Sequence, residues 1–202
     1  MLGTKFDEAL QLARHLHRDQ TRKQVPVPYM AHLMAVAGIV LEANAYHQFD
    51  NIEDLAIGAL LHDAIEDQGH QIDLEEIRRR FGDKVCEIVR DCSDAIIEEE
   101  HQKKAPWQER KKAFISKIKN KSRESLLVSC ADKLHNARSI LFDYAKVGDK
   151  IWDRFTPEKE GTLWYYESLM ESFEQAWPKN PLLPDFKAVV GNLREIVEGN
   201  KA

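Results

Sequence analysis

Apolar residues recur at spacings of three and four along nearly the whole chain, and no run of alternating apolar and polar residues is long enough to propose a strand. That recurrence matches the helical turn, so the sequence predicts an all-α protein, a helical bundle of about 8–10 helices. Phe6, Leu10, Ala13 and Leu16 define a first helix, capped by Thr4 and ending near Asp19. Pro26 and Pro28 then impose an extended connection, because proline disfavours helix at its own position and just before it. Helices are expected over residues 29–45 and 52–67, the latter capped by Asn51. Both are apolar on more than one side, which places them centrally. Asp73 can cap a short helix to Arg80, Gly82 breaks it, and another continues to Ser93. Further helices are expected over residues 107–119, 122–146 (closed by Gly148) and 157–177, and a last one from Asp185 to Val197. Residues 94–106, with Glu98-Glu99-Glu100 and Lys103-Lys104, form the most polar piece. They are read as an excursion rather than a boundary, so one domain is expected over residues 1–202.

One stretch departs from the pattern. Residues 59–67 read Ala-Leu-Leu-His-Asp-Ala-Ile-Glu-Asp, which puts His62, Asp63, Glu66 and Asp67 in a helix that ought to be buried. A buried charge must be paired, hydrogen-bonded or bound to a metal, since desolvating it alone costs several kcal/mol. His62 and Glu66 are four apart, as are Asp63 and Asp67, so in one continuous helix each pair stacks along one side. Two other helices carry ionisable residues in similarly apolar company: His32, in Tyr-Met-Ala-His-Leu-Met, and Asp132, in Ser-Cys-Ala-Asp-Lys-Leu. Taken singly, such a histidine is ordinarily a core residue and such an aspartate a hydrogen-bond partner. Together, two imidazoles and two carboxylates suit manganese, iron or zinc better than calcium. A metal of that kind activates water and polarises a phosphoryl oxygen, leaving Glu66 and Asp67 for proton transfer and orientation.

Composition narrows the partners. With 31% charged and 43% apolar residues the chain is an ordinary globular one, and a net charge of -5 argues against a nucleic-acid polymer as ligand. The basic run over residues 111–123 is read as a solvated helix face, and His15 and His17 likewise as part of a solvated polar face. Neither a signal-peptide core nor a membrane-length apolar window is present, so a cytoplasmic location away from membranes is expected. Cys86, Cys92 and Cys130 form no Cys-x-x-Cys pair and are read as small buried residues.

Pro28-Tyr29-Met30-Ala31-His32, the His62-Asp63 doublet, Glu66-Asp67 and Ala131-Asp132-Lys133-Leu134-His135-Asn136 together resemble the HD-domain phosphohydrolases. Within them, the similarity is to the hydrolase domain of RelA/SpoT-type alarmone enzymes and to the small stand-alone alarmone hydrolases, over residues 6–146. The resemblance implies His32, His62, Asp63 and Asp132 as metal ligands, with manganese the usual ion. It implies Glu66 and Asp67 as the pair that handles the catalytic water, and Arg22, Lys23 and Asn136 as contacts to the nucleotide, with Ser139 a further contact. The implied reaction removes pyrophosphate from the 3′ position of guanosine tetraphosphate or pentaphosphate. Another nucleotide phosphate is the alternative substrate, and a retired sensing module a more distant reading; a homo-oligomer is compatible with either. The chain departs from the family at Leu33, where many relatives have proline, and in the loop Gln24-Val25-Pro26-Val27, which lacks the usual glycine. His135 is expected as a packing neighbour of the ligands, and Lys133 and Arg138 as salt-bridge partners. Of Trp164-Tyr165-Tyr166, core packing is expected, with room for one of the three at the substrate pocket.

Overall fold

The structure, a computed structural model, describes residues 1–94 and 105–199. Among them the regular elements are helical, as the periodicity predicts: α1 (Thr4–Leu16), α2 (Met30–Ala43), α3 (Ile52–Leu61), α4 (Ala64–Gln68), α5 (Leu74–Phe81), α6 (Asp83–Cys92), α7 (Trp107–Lys117), α8 (Arg123–Val147), α9 (Glu158–Ala176) and α10 (Leu183–Glu198). Short 3-10 turns, Ile118–Asn120 and Gly148–Arg154, follow α7 and α8.

Local signals set most boundaries. Asn51, Asp73 and Ser122 each accept a first-turn amide, from Asp54, Glu76 and Ser125 at 3.3, 2.7 and 3.3 Å. Gly82 and Gly148, at φ 95° and 60°, turn the chain out of α5 and α8 in a region open to glycine. Thr4 is not the cap expected of it. Gly3 holds that position, and the carboxylate of Glu53 reaches across from α3 to accept the amides of Gly3 (2.6 Å) and Phe6 (3.3 Å). A distant side chain therefore satisfies donors that a local hydroxyl was expected to meet.

Helix α3 is the spine. Every residue from Leu55 to Leu61 is buried, and α1, α2, α6 and α8 pack around it. Gly58 sets the approach of α6: a Cβ there would lie 2.7 Å from Ile88 Cγ2. The buried half of α8, Ser125 to Leu134, passes beside α2, α3 and α6, and α9 and α10 pack on its other flank. One buried apolar cluster runs from Ala9 to Val197. Cys86, Cys92 and Cys130 are free and buried within it, as expected.

Two expectations need correction. The helix foreseen over residues 52–67 is interrupted after Leu61: Asp63 takes φ −98°, ψ 0°, and α4 restarts at Ala64. The His62 ring explains part of this, since its Nδ1 bonds the Ala59 carbonyl one turn back at 2.8 Å and draws the side chain against α3. Asp94, expected at the start of the polar excursion, instead has a buried side chain ion-paired with Arg110 (2.5 Å) and Lys111; residues 95–104 of that stretch lie outside the described part.

Candidate active site

The interruption between α3 and α4 turns His62 and Asp63 toward the first turn of α2 and the middle of α8. His32 Nε2, His62 Nε2 and an oxygen of Asp63 all lie within 4.8 Å of one another. His32 and His62 face each other at 3.3 Å, and Asp63 Oδ2 stands 3.5 Å from the first and 3.0 Å from the second. Asp132 stands outside that set of three, yet its Oδ1 is 3.2 Å from His32 Nε2 and 3.6 Å from His62 Nε2. His32, His62 and Asp132 are buried and Asp63 nearly so.

The hydrogen bonds around these groups fix their orientation. His62 Nδ1 is committed to the Ala59 carbonyl, and His32 Nδ1 to His135 Nδ1 at 2.8 Å. Both Nε2 atoms are therefore left pointing inward, the arrangement by which outer hydrogen bonds prepare an imidazole for a metal. Tyr29 donates its hydroxyl to Asp63 Oδ2 at 2.6 Å, and Lys133 pairs with Asp132 Oδ2 at 2.5 Å. Burial alone would raise the pKa of both aspartates, but the imidazoles hold Asp63 down and Lys133 with the imidazoles holds Asp132 down, both well below the usual carboxylate range. Burial likewise works against a charged His62, and Asp63 and Asp132 outweigh it to raise its pKa well above that of free histidine. Without an ion a protonated His62 balances the two carboxylates; with both imidazoles neutral, the inward Nε2 atoms and the carboxylates form a donor set that could hold a divalent transition ion.

The expected catalytic pair flanks this cluster on α4. Glu66 accepts the Asp94 amide at 3.1 Å and lies 4.0 Å from Arg110. Asp67 accepts the side-chain amide of Gln20 at 2.8 Å, and its own amide donates to the Asp63 carbonyl at 3.0 Å.

A cavity of about 660 Å³ opens beside His32. Arg22, Lys23, Asn136 and Ser139, the expected nucleotide contacts, all line it, together with Arg138, Arg154 and the apolar Val27, Phe142 and Phe155. Arg22 donates to Asn136 Oδ1 at 2.6 Å, and Asn136 donates to Asp132 Oδ1 at 2.5 Å, so a hydrogen-bonded chain links the cavity to the inner cluster. Ser139 is turned back onto the His135 carbonyl at 2.9 Å. The loop that carries Arg22 is closed by Arg22 N to Val27 O at 2.8 Å and a bridge between Thr21 and Pro28. Gln24 occupies the left-handed region there, at φ 57°, without the glycine that would do so free of strain.

The sequence pattern of the HD domain matches residues 9–163. The chain belongs to the HD-domain family. In this HD-domain protein, 139 residues are 34% identical to the guanosine-3′,5′-bis(diphosphate) 3′-pyrophosphohydrolase MESH1 of Drosophila melanogaster, covering 68% of this chain and 70% of that one. The MESH1 of Mus musculus is 31% identical over 172 residues, 84% of this chain and 79% of the other. Among solved structures, one described as a metazoan ortholog of SpoT that hydrolyzes ppGpp superposes with a TM-score of 0.72 at 25% identity, over 95% of this chain and 97% of that chain.

Other residues of the HD domain sit where the sequence did not place them. His17, expected on a solvated face, is 1% exposed and stacks on Tyr29 with ring centroids 5.2 Å apart. Part of the basic run is not solvated either: Lys111 is tied to buried Asp94, and Lys121 lies 3.7 Å from the centre of the Phe114 ring. Lys133 and Arg138 do form salt bridges, with Asp132 and Asp185. Of the aromatic triplet, Tyr166 lines the cavity, while Trp164 and Tyr165 meet Trp107. Gln20, three residues after His17, was the available signal for that corner, since its side-chain amide reaches an imidazole at the helix end.

Proposed function

We propose that this protein is a metal-dependent hydrolase that removes pyrophosphate from the 3′ position of guanosine 3′,5′-bis(diphosphate) and its pentaphosphate counterpart, leaving GDP or GTP. The observation that carries the reading is the cluster of His32, His62, Asp63 and Asp132 beside a cavity lined with basic side chains of the size a nucleotide needs. The relatives that bear this activity by name select the substrate from among nucleotides. His32, His62, Asp63 and Asp132 would hold the ion, which we take to be manganese. When bound it supplies Lewis acidity toward the phosphoryl oxygen and the attacking water.

The chain's own residues do the rest. Arg22 and Lys23 bind the nucleotide from the loop before α2, and the guanidinium fork of Arg22, steadied by Asn136, suits phosphate oxygens. Asn136 and Ser139 meet the ribose and base side of the cavity. Water attacks the phosphorus attached to the 3′ oxygen, a new P–O bond forms and the bond to the 3′ oxygen breaks. Of Glu66 and Asp67, one takes a proton from the attacking water while the other orients it, and that proton is then passed to the departing 3′ oxygen. Glu66 is oriented by the Asp94 amide and lies 4.0 Å from the Arg110 guanidinium. We place the reaction in the cytoplasm; among the described residues no helix is long and apolar enough to cross a membrane.

A nucleotide panel tests the proposal. The manganese-loaded protein is expected to release pyrophosphate and GDP from guanosine tetraphosphate. Cleavage of another nucleotide with none of the alarmone would move the function to that substrate.

A further inference from the structure

His17 ends α1 as its C-cap and is 1% exposed, with Nε2 buried and without a hydrogen-bond partner. A bare nitrogen in that position carries a desolvation cost that an apolar side chain of similar size would avoid. The compensation lies at the other ring nitrogen. Nδ1 is 2.7 Å from Gln20 Oε1, and the same oxygen accepts Gln68 Nε2 at 2.9 Å. Gln20 then donates its own Nε2 to Asp67 Oδ2 at 2.8 Å. Reversing the Gln20 amide would set its oxygen against the Asp67 carboxylate, so the amide has one orientation and His17 Nδ1 must carry the hydrogen. Burial lowers the pKa of His17 and keeps the ring neutral. The opposite face of the ring backs Tyr29, which holds Asp63 through its hydroxyl.

We propose that His17 and Gln20 are positioning residues that aim the Asp67 carboxylate, the imidazole locking the amide and the amide locking the acid. This rests on the role given to Asp67 in the proposed reaction. The relay touches neither substrate nor ion. It fixes one oxygen of Asp67 by a hydrogen bond and so helps set the plane of the carboxylate. The Gln20 amide is itself held from two sides, and loss of either support frees it to rotate.

The test combines kinetics on the whole, manganese-loaded chain with spectroscopy on the same chain carrying diamagnetic zinc, since paramagnetic manganese would broaden the resonances near the site. Nitrogen-15 spectra of the wild type should show His17 as the Nδ1–H tautomer with a slowly exchanging ring proton, and Gln20→Met should make that proton exchange rapidly. Misplacing a catalytic group costs up to about 100-fold, so Gln20→Met and His17→Gln should lower kcat by about 10-fold or more with KM changed by less than about 3-fold. His17→Asn, whose amide nitrogen falls near the Nδ1 position, should retain kcat within about 3-fold of wild type. A purely structural imidazole would lose equally in the Asn and Gln variants. The relay is overturned by an Nε2–H tautomer in the wild type, by equal losses in those two variants, or by Gln20→Met turning over at the wild-type rate. Should the wild type leave the alarmone intact, the proposed function fails, and the tautomer and its response to Gln20→Met still decide the relay.

Discussion

The Nε2 atoms of His32 and His62 stand 3.3 Å apart, and neither ring is free to turn away, because each Nδ1 is held from behind by His135 or by the Ala59 carbonyl. With Asp63 and Asp132 beside them, the four side chains offer a ready-made donor set that a divalent ion would stabilise. Chelation is therefore expected to abolish turnover and to lower the melting temperature, and added manganese to restore both. A ligand at 100 times its Kd contributes about 2.7 kcal/mol to folding, a shift that calorimetry resolves easily. A melting curve indifferent to chelator and manganese would count against a metal centre.

Asn136 stands between the cavity and the cluster, accepting from Arg22 and donating to Asp132. Asn136→Asp keeps the shape and the acceptor for Arg22, but it replaces the donor to Asp132 with a second carboxylate oxygen. Removing the outer partner of a metal ligand typically costs about 10–100-fold in affinity. Manganese titration of the variant should show a loss of that order, whereas an unchanged affinity would mean that Asn136 serves the nucleotide alone.

Gly58 has a packing role and no chemical one. An added methyl would meet Ile88 at 2.7 Å across the α3–α6 contact, where both helices are buried. Helix propensity favours alanine by roughly 1 kcal/mol, while overpacking a tight core costs about 1–3 kcal/mol. Gly58→Ala should thus destabilise the protein in urea titration, by less than the overpacking cost alone. A stabilised variant would show that α6 yields freely.

The helices, their caps at Asn51 and Asp73, and the residues of the inner cluster were legible because each follows from local spacing or from charges in apolar company. What escaped depends on residues far apart in the chain. Glu53 caps α1 from 50 positions away, and Asp94 is drawn inside by Arg110 and Lys111 across residues 95–104. His17 looked solvated because it lies beside Arg14 and Arg18 in what reads as a polar helix face, yet it lies just past the end of α1, where the helical face no longer decides burial. The break at Asp63 escaped for a related reason. The pattern of residues 52–67 suits one helix throughout, and the interruption appears only in the backbone at Asp63, beside a His62 ring bonded one turn back.

Lys121 offers a test of burial that is independent of the catalytic site. Its ammonium lies over the Phe114 ring at 3.7 Å and 3.3 Å from Ser129 Oγ, and burial lowers its pKa from 10.5 to about 8. The unfolded chain keeps this proton up to about pH 10.5, whereas the folded protein releases it near 8. The unfolded state thus binds more protons in that window, and this lysine's contribution to stability improves as pH rises through it. Below pH 8 the full penalty is present. Lys121→Met retains the apolar stem and removes the charge, so it should stabilise the protein at pH 7 by on the order of 1–3 kcal/mol and lose most of that advantage by pH 10. Cys86, Cys92 and Cys130, whose thiols burial pushes up, work in the opposite direction. Cys86 and Cys130 do so alike in wild type and variant, but Cys92 interacts with Lys121, so comparing the two denaturation midpoints in a Cys92→Ala background isolates Lys121. A difference that stays constant from pH 7 to pH 10 would show that the ammonium is solvated in the folded state.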